Sequence, residues 1–271
     1  SLARAVLQLI PAASGRVCLL GRDLEQLQGI ELKNMRRDMQ VIFQDPQASL
    51  DPRMTIAQIV GESLDTFHSD LDQAERNDCV VSALLRVGLD AEHLNRYPHE
   101  FSGGQAQRIG IARALVFDPQ LIVCDEPVSA LDVSIQAQII NLLMGLQAER
   151  GLSLIFIAHD LAVVRHISHR VIVMYLGQIV EVGDKDEVFT EPRHPYSKAL
   201  LASHLFPDIS DRRVDRVERI TLEGEIPSPV SLPKGCYLYG RCPSQKDACA
   251  GMPQELRAMP DGREIRCWRV T

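Results

Sequence analysis

Two textures of apolar residues alternate along this chain. Short, wholly apolar runs at residues 121–124 and 154–158 read as strands buried on both faces, and 39–43 reads as a strand leading to Gln44. Between them, apolar residues recur at helical spacing: Val80, Leu84 and Val87 within 72–87, Ile109, Ala112 and Val116 within 106–117, and Ile135, Ile139, Leu142, Leu143 and Leu146 within 134–149, which Gly151 ends. From Thr55 to about Phe117 the pattern is helical, broken at Gly88 and at Tyr97-Pro98. Residues 1–10 predict a helix ended by Pro11, 32–37 a short basic helix, and 161–167 another short one. Residues 15–21 predict a short strand bounded by glycines, and 170–175 with 178–182, joined around Leu176-Gly177, a β-hairpin. Strands alternating with helices predict a largely parallel sheet, with the hairpin as an antiparallel pair.

Candidate chemistry sits where these elements end. The run 121–124 stops at two adjacent carboxylates, Asp125 and Glu126. Ligands of open α/β sheets lie beyond the carboxyl ends of strands, where one carboxylate can hold Mg²⁺, directly or through a water, and another can orient an attacking water. By itself such an ending is equally a solvated strand end. Ser102-Gly103-Gly104-Gln105 precedes the helix at 106–117; Ser102 is a good N-cap, and two glycines leave backbone N–H groups open to an anion. An ordinary capped helix would look the same. The strand at 154–158 ends in His159-Asp160, and a lone histidine there is more often structural than catalytic. Coincidence is hard to sustain for all three pieces in this order.

Together with Ser129-Ala130-Leu131-Asp132 and with residues 41–46, which contain Gln44, these motifs resemble the ATP-binding subunits of ABC transporters. In that family they correspond to the signature (102–105), Walker B (121–126), the D-loop, the switch histidine (His159) and the Q-loop glutamine (Gln44). The resemblance implies an α/β, P-loop NTPase-like ABC ATPase core over 1–183, a helical subdomain inserted at about 48–117, and a small cysteine-rich C-terminal extension within 184–271. It implies ATP and Mg²⁺ as ligands: Asp125 supporting the metal, Glu126 polarising water, Gln44 reporting on γ-phosphate and metal, and His159 touching the γ-phosphate. Asp132 would shape a dimer seam, while Ser102, Gly103, Gly104 and Gln105 would meet the ATP held by a second ABC ATPase subunit, the same chain or a different one. Two transmembrane permease subunits and, indirectly, a substrate-binding protein complete the implied partners, at the cytoplasmic face of the cell membrane.

The same resemblance raises an expectation about the N-terminus. No G-x-x-x-x-G-K-[ST] phosphate loop occurs in the 271 residues, and Ser1 corresponds to the residue just after such a loop, beside the nucleotide. The chain is therefore expected to be a piece of a longer protein, to bind ATP weakly and not to hydrolyse it alone.

Composition narrows the partners. A net charge of −7 argues against a general nucleic-acid binder, and no apolar run approaches the roughly 20 residues of a membrane span. Of seven cysteines, Cys18, Cys79 and Cys124 read as core or near-core residues. Residues 208–218 read as a charged linker. Arg193-His194-Pro195-Tyr196, with Asp186-Glu187-Val188-Phe189 before it, resembles a segment of the ATPases that serve oligopeptide and dipeptide importers. Cys236, Cys242, Cys249 and Cys267 follow with spacers of five, six and seventeen residues. That count suits thiolate ligation, although zinc sites and ferredoxins keep tighter spacers. The importer resemblance implies an iron–sulfur cluster (4Fe–4S), with zinc and free thiols as alternatives. Two rival functions stay open: a soluble ABC-type ATPase of another role, and a non-hydrolysing binding module.

Overall fold

The computed structural model describes residues 2–68, 70–203 and 222–270, and the chain divides into two compact units, 1–159 and 160–271. Ser1 and the charged stretch 208–218 lie outside the described residues.

The first unit runs α1 (Leu2–Val6), β1 (Cys18–Leu19), β2 (Arg22–Asp23), α2 (Gly29–Asp38), β3 (Met39–Ile42), α3 (Ile56–Phe67), α4 (Gln73–Arg86), α5 (Gly103–Leu115), β4 (Leu121–Asp125), α6 (Val133–Arg150) and β5 (Ser153–Ile157). Its sheet is the parallel trio β3-β4-β5, with Ile42 opposite Cys124 and Cys124 opposite Phe156. The central strand β4 is continuously apolar because both of its faces are covered, whereas β5, read the same way from its apolar run, has no fully buried residue and exposes Ile155. Ile122, Val123 and Cys124 are fully buried on β4, and burial pushes the Cys124 thiol up to about 12, so it behaves as a small apolar residue. Ala3, Leu7, Leu24, Met35 and Met39 pack with Val123 into one cluster.

Three helices begin with reciprocal capping boxes: Thr55 with Gln58 on α3, Asp72 with Glu75 on α4, and Ser102 with Gln105 on α5. Gly151, at φ 66°, ends α6 in the left-handed conformation that a residue with a Cβ resists.

Some expectations need correction. The first helix stops at Val6 rather than Ile10, because Gln8 turns left-handed (φ 53°) and leaves Leu9 and Ile10 exposed. The basic helix is longer than 32–37, starting at Gly29. The strand at 15–21 contracts to β1, which pairs with β2, and Cys18 on it is exposed rather than near-core. The helical stretch also breaks after Phe67, where no glycine or proline marks the stop.

The second unit comprises α7 (Leu161–Ile167), β6 (Arg170–Tyr175), β7 (Gln178–Asp184), α8 (Lys185–Thr190), α9 (Pro195–Ala202), α10 (Ala248–Gly251), β8 (Arg257–Ala258) and β9 (Glu264–Ile265). Its sheet is antiparallel in the order β6-β7-β9-β8. The predicted hairpin is present, and both turn residues, Leu176 (φ 46°) and Gly177 (φ 78°), are left-handed as a two-residue turn of type I′ requires. Pairing of β9 with β7 draws the C-terminal segment onto the hairpin; Cys236, Cys242 and buried Leu238 pack against its Val171, Val173 and Val180.

Fully buried Glu181 on β7 accepts hydrogen bonds from the backbone N–H groups of Arg193 and His194, both at 2.9 Å. Those bonds satisfy both carboxylate oxygens and set the start of α9, where His194 Nδ1 accepts from the Tyr196 N–H at 3.1 Å.

Candidate functional site

The end of the central strand delivers the first cluster. Asp125 closes β4 opposite Ile157, and the next residue, Glu126, is held in a left-handed conformation (φ 47°) by a hydrogen bond from its N–H to the Ile157 carbonyl at 3.0 Å. Its own carbonyl accepts from the Ser129 hydroxyl at 3.0 Å. A non-glycine residue at positive φ stores about 1–3 kcal/mol of strain, and such strain gathers at functional sites. Here it aims the carboxylate at two neighbours. Gln44 Nε2 donates to Glu126 Oε2 at 2.8 Å, and His159 Nδ1 stands 3.6 Å from the same oxygen. Gln44 arrives from the loop after β3, and His159 follows β5, so three parallel strands bring Gln44, Asp125, Glu126 and His159 to one sheet end. The His159 side chain is 73% exposed, free to meet a ligand.

Ser102 accepts the Gln105 N–H at 3.4 Å, and Gln105 Oε1 accepts the Ser102 N–H at 3.0 Å. The two glycines at the start of α5 differ in role. A Cβ on Gly103 would meet only Leu131, at an ordinary 3.5 Å, whereas a Cβ on Gly104 would strike Ile135 Cγ2 at 2.5 Å. Gly104 is thus required by close packing of α5 on α6, a reason beyond open backbone amides that no local motif carries. Asp132 caps α6, accepting from the Ser134 hydroxyl at 2.7 Å and the Ile135 N–H at 3.0 Å; these bonds, the hydroxyl's first, hold its carboxyl below the usual range. Gln136 Nε2 donates to the Val128 and Leu131 carbonyls at 2.8 and 3.1 Å, which stiffens the turn between Glu126 and Asp132.

In the second unit, Cys236, Cys242, Cys249 and Cys267 all line one cavity of about 190 Å³, beside Trp268 and Lys198. Trp268 Nε1–H points at the Cys249 sulfur, 3.4 Å away. Burial, reinforced by the neighbouring thiols, pushes Cys236 and Cys242 upward. Among the described residues, no group of three or more His, Cys, Asp or Glu is gathered to hold a metal ion. A tetrahedral ion needs its four sulfurs at about 2.3 Å from one point.

Comparison with known proteins decides the family. The ABC transporter family model matches residues 1–129, and the model of the oligopeptide/dipeptide transporter C-terminal region matches 180–249. The oligopeptide transport ATP-binding protein OppF of Salmonella typhimurium is 56% identical over 248 residues, 92% of this chain and 74% of that protein. OppF of Haemophilus influenzae is 49% identical across 100% of this chain and 81% of its own length. The chain belongs to the ATP-binding subunits of ABC transporters. Solved ABC cassettes agree in fold: cbiO1 of Clostridium perfringens superposes with a TM-score of 0.62 at 28% identity, covering 70% of this chain and 74% of its own. The cassette MJ0796, in a dimeric post-hydrolysis state bound to ADP and phosphate, gives 0.61 at 28%, covering 68% and 79%.

As an ABC ATPase the protein hydrolyses ATP with Mg²⁺, and its residues fit that use. A carboxylate pair at the end of the central strand supplies hard oxygen donors of the kind Mg²⁺ takes. Among the described residues no helix is long and apolar enough to cross a membrane.

Proposed function

We propose that this ABC ATPase energises the import of oligopeptides or dipeptides. The reading is carried by one conjunction: the Gln44–Glu126–His159 cluster stands on the ATPase sheet of a chain whose residues 180–249 match the oligopeptide/dipeptide C-terminal region. Residues 1–183 act as the ATPase domain and 184–271 as the importer-type region. The subunit works as a pair with a second ABC ATPase, same or different, on two transmembrane permease subunits fed by a substrate-binding protein, at the cytoplasmic face of the membrane.

Mg²⁺, supported by Asp125, would neutralise phosphate charge. Glu126 accepts the proton side of the attacking water and orients it, its carboxylate steered by the strained backbone. Gln44, whose amide already donates to Glu126, passes occupancy of the site to the helical subdomain through the loop that carries it. His159 offers a donor to the γ-phosphate, and Ser102, Gly103, Gly104 and Gln105 present a helix N-terminus to the nucleotide on the partner subunit. Asp132, whose cap bonds hold its carboxyl below the usual range, would shape the dimer seam. Phosphoryl transfer asks chiefly for positioning and charge stabilisation, which suits groups split between two subunits.

The four cysteines are proposed to hold one iron–sulfur cluster (4Fe–4S), supported by four thiols on one cavity and a Trp268 donor at Cys249. Such a cluster would supply a structural cross-link, tying the turns at 236–249 to the segment after β9 that carries Cys267.

The test of the hydrolytic assignment is Glu126→Gln in the full-length protein. ATP binding persists, turnover falls by at least about 100-fold, and an ATP-bound dimer accumulates on size exclusion. Turnover at the parental rate moves the catalytic role to another residue.

A further inference from the structure

A brace on the loop that carries Gln44 comes from a residue outside every motif above. Arg113 lies near the C-terminal end of α5, ten residues after Gly103, or about 15 Å along the axis. A basic side chain in a last helical turn usually completes the dipole and points to water. Arg113 instead turns inward and is half-buried. Its NH1 group donates to the Ser49 carbonyl at 2.7 Å, and its guanidinium carbon lies 5.9 Å from the centroid of the Phe43 ring. Burial lowers its pKa while the Glu62 carboxylate opposes that fall, and a guanidinium keeps its proton regardless.

Phe43 and Ser49 bracket the loop that carries Gln44. The loop is braced internally: Ala48 N–H donates to Asp45 Oδ1 at 3.0 Å, Ser49 N–H to the Asp45 carbonyl at 3.1 Å, and the Ser49 hydroxyl to the Pro46 carbonyl at 2.8 Å. One planar cation therefore grips a stiff loop at both ends. Bidentate use of this kind, a donor at one end and a ring contact at the other, is beyond a lysine. The other side of the loop is fixed by the 2.8 Å bond from Gln44 to Glu126. A continuous path of contacts runs from the signature helix through Arg113 and the loop to the carboxylate.

We infer that Arg113 is a positioning residue for ATP hydrolysis, coupling the signature helix to Gln44 and through it to Glu126. It acts without touching the nucleotide, and the assignment rests on the roles proposed for Gln44 and Glu126. Displacing the loop misplaces Gln44 in the transition state while leaving nucleotide binding intact, so the loss belongs in kcat rather than KM.

ATP turnover of the full-length protein in its assembled transporter is measured for Arg113→Met, Arg113→Lys, Gln44→Ala and the Gln44→Ala/Arg113→Met double variant. Misplacement on the ångström scale predicts that Arg113→Met lowers kcat by about 10- to 100-fold with KM for ATP within about twofold. Arg113→Lys, which keeps a donor for Ser49, recovers part of the loss. In the Gln44→Ala background, Arg113→Met removes nothing further, because its effect passes through Gln44. Losses that multiply in the double variant overturn the inference, as does parental kcat in Arg113→Met. If Arg113→Met does not fold, the same cycle with Arg113→Lys decides between shared and independent losses. Gln44→Ala at the parental rate overturns the role of Gln44 and the inference with it, whereas a damaged Gln44→Ala beside an unaffected Arg113→Met overturns the inference alone.

Discussion

Single residues carry the sharpest consequences of this architecture. Gly104 has no room for a methyl group, since Ile135 Cγ2 stands 2.5 Å from where a Cβ would sit. Gly104→Ala is expected to destabilise the folded protein by about 1–3 kcal/mol through overpacking, and Gly103→Ala, with ordinary contact to Leu131, by less. Comparison of the two by urea denaturation checks this; equal losses would remove Ile135 as the cause. His194 gives a pH signature. It is 2% exposed, and burial pushes its imidazole down to about 4 from an ordinary 6.5, with a bond to the Arg266 backbone opposing. A depressed folded value means the unfolded chain takes the proton first. The His194 contribution is therefore fully present above pH 6.5 and is lost as pH falls toward 4, a change on the order of 3 kcal/mol. His194→Asn keeps an N-cap acceptor for the Tyr196 N–H and should flatten the unfolding free energy across that window. An unchanged pH slope would assign it to other groups.

Elements differ in how much of them the sequence exposes. The central strand β4 was legible because burial on both faces leaves a continuous apolar run that ends where the carboxylates begin. The start of α5 was legible from Ser102 and Gln105, whose side chains close a local capping box. Ser102→Ala should cost about 1 kcal/mol of stability from the lost cap, read as a shift in urea midpoint, with a larger proportional loss in ATP-driven dimerisation. A shift in stability with unaltered dimerisation would reduce Ser102 to a cap. Other elements left no local trace. The strands β8 and β9 are two residues each, and Glu181 and Ile265 meet across a sequence gap that no periodicity spans. The left-handed Gln8 that shortens α1 lies in an apolar pattern that reads as helix throughout. The break after Phe67 is set by tertiary packing, with Phe67 edge-on to Phe117 at 5.2 Å between centroids.

Across the whole molecule, motif order identified the ATPase, while the physical reasons for individual motif residues emerged only in three dimensions. Glu126 was legible as an acid at a strand end; its strained backbone, held by the Ile157 carbonyl, and its bond to Gln44, 82 residues away in sequence, were not. The four C-terminal cysteines were legible as a count, but their place around one cavity depends on long-range contacts, among them the Cys236 N–H to Cys249 carbonyl bond and the pairing of β9 with β7. Protein purified without oxygen is expected to contain iron and sulfide, at about four of each per chain. Cys249→Ala, which removes the sulfur that receives the Trp268 N–H, should lose both and unfold the second unit at lower denaturant. Full-length protein that carries zinc at one equivalent and no iron would hand the site to zinc. Coupling of ATP hydrolysis to peptide import is measured by reconstituting the full-length subunit with its permease and peptide-binding partners in vesicles and following peptide uptake beside ATP turnover. Uptake is expected to require Mg-ATP, turnover to be stimulated by the peptide-loaded binding protein, and both to be lost in Glu126→Gln. Peptide uptake by Glu126→Gln vesicles at the parental rate would contradict that coupling.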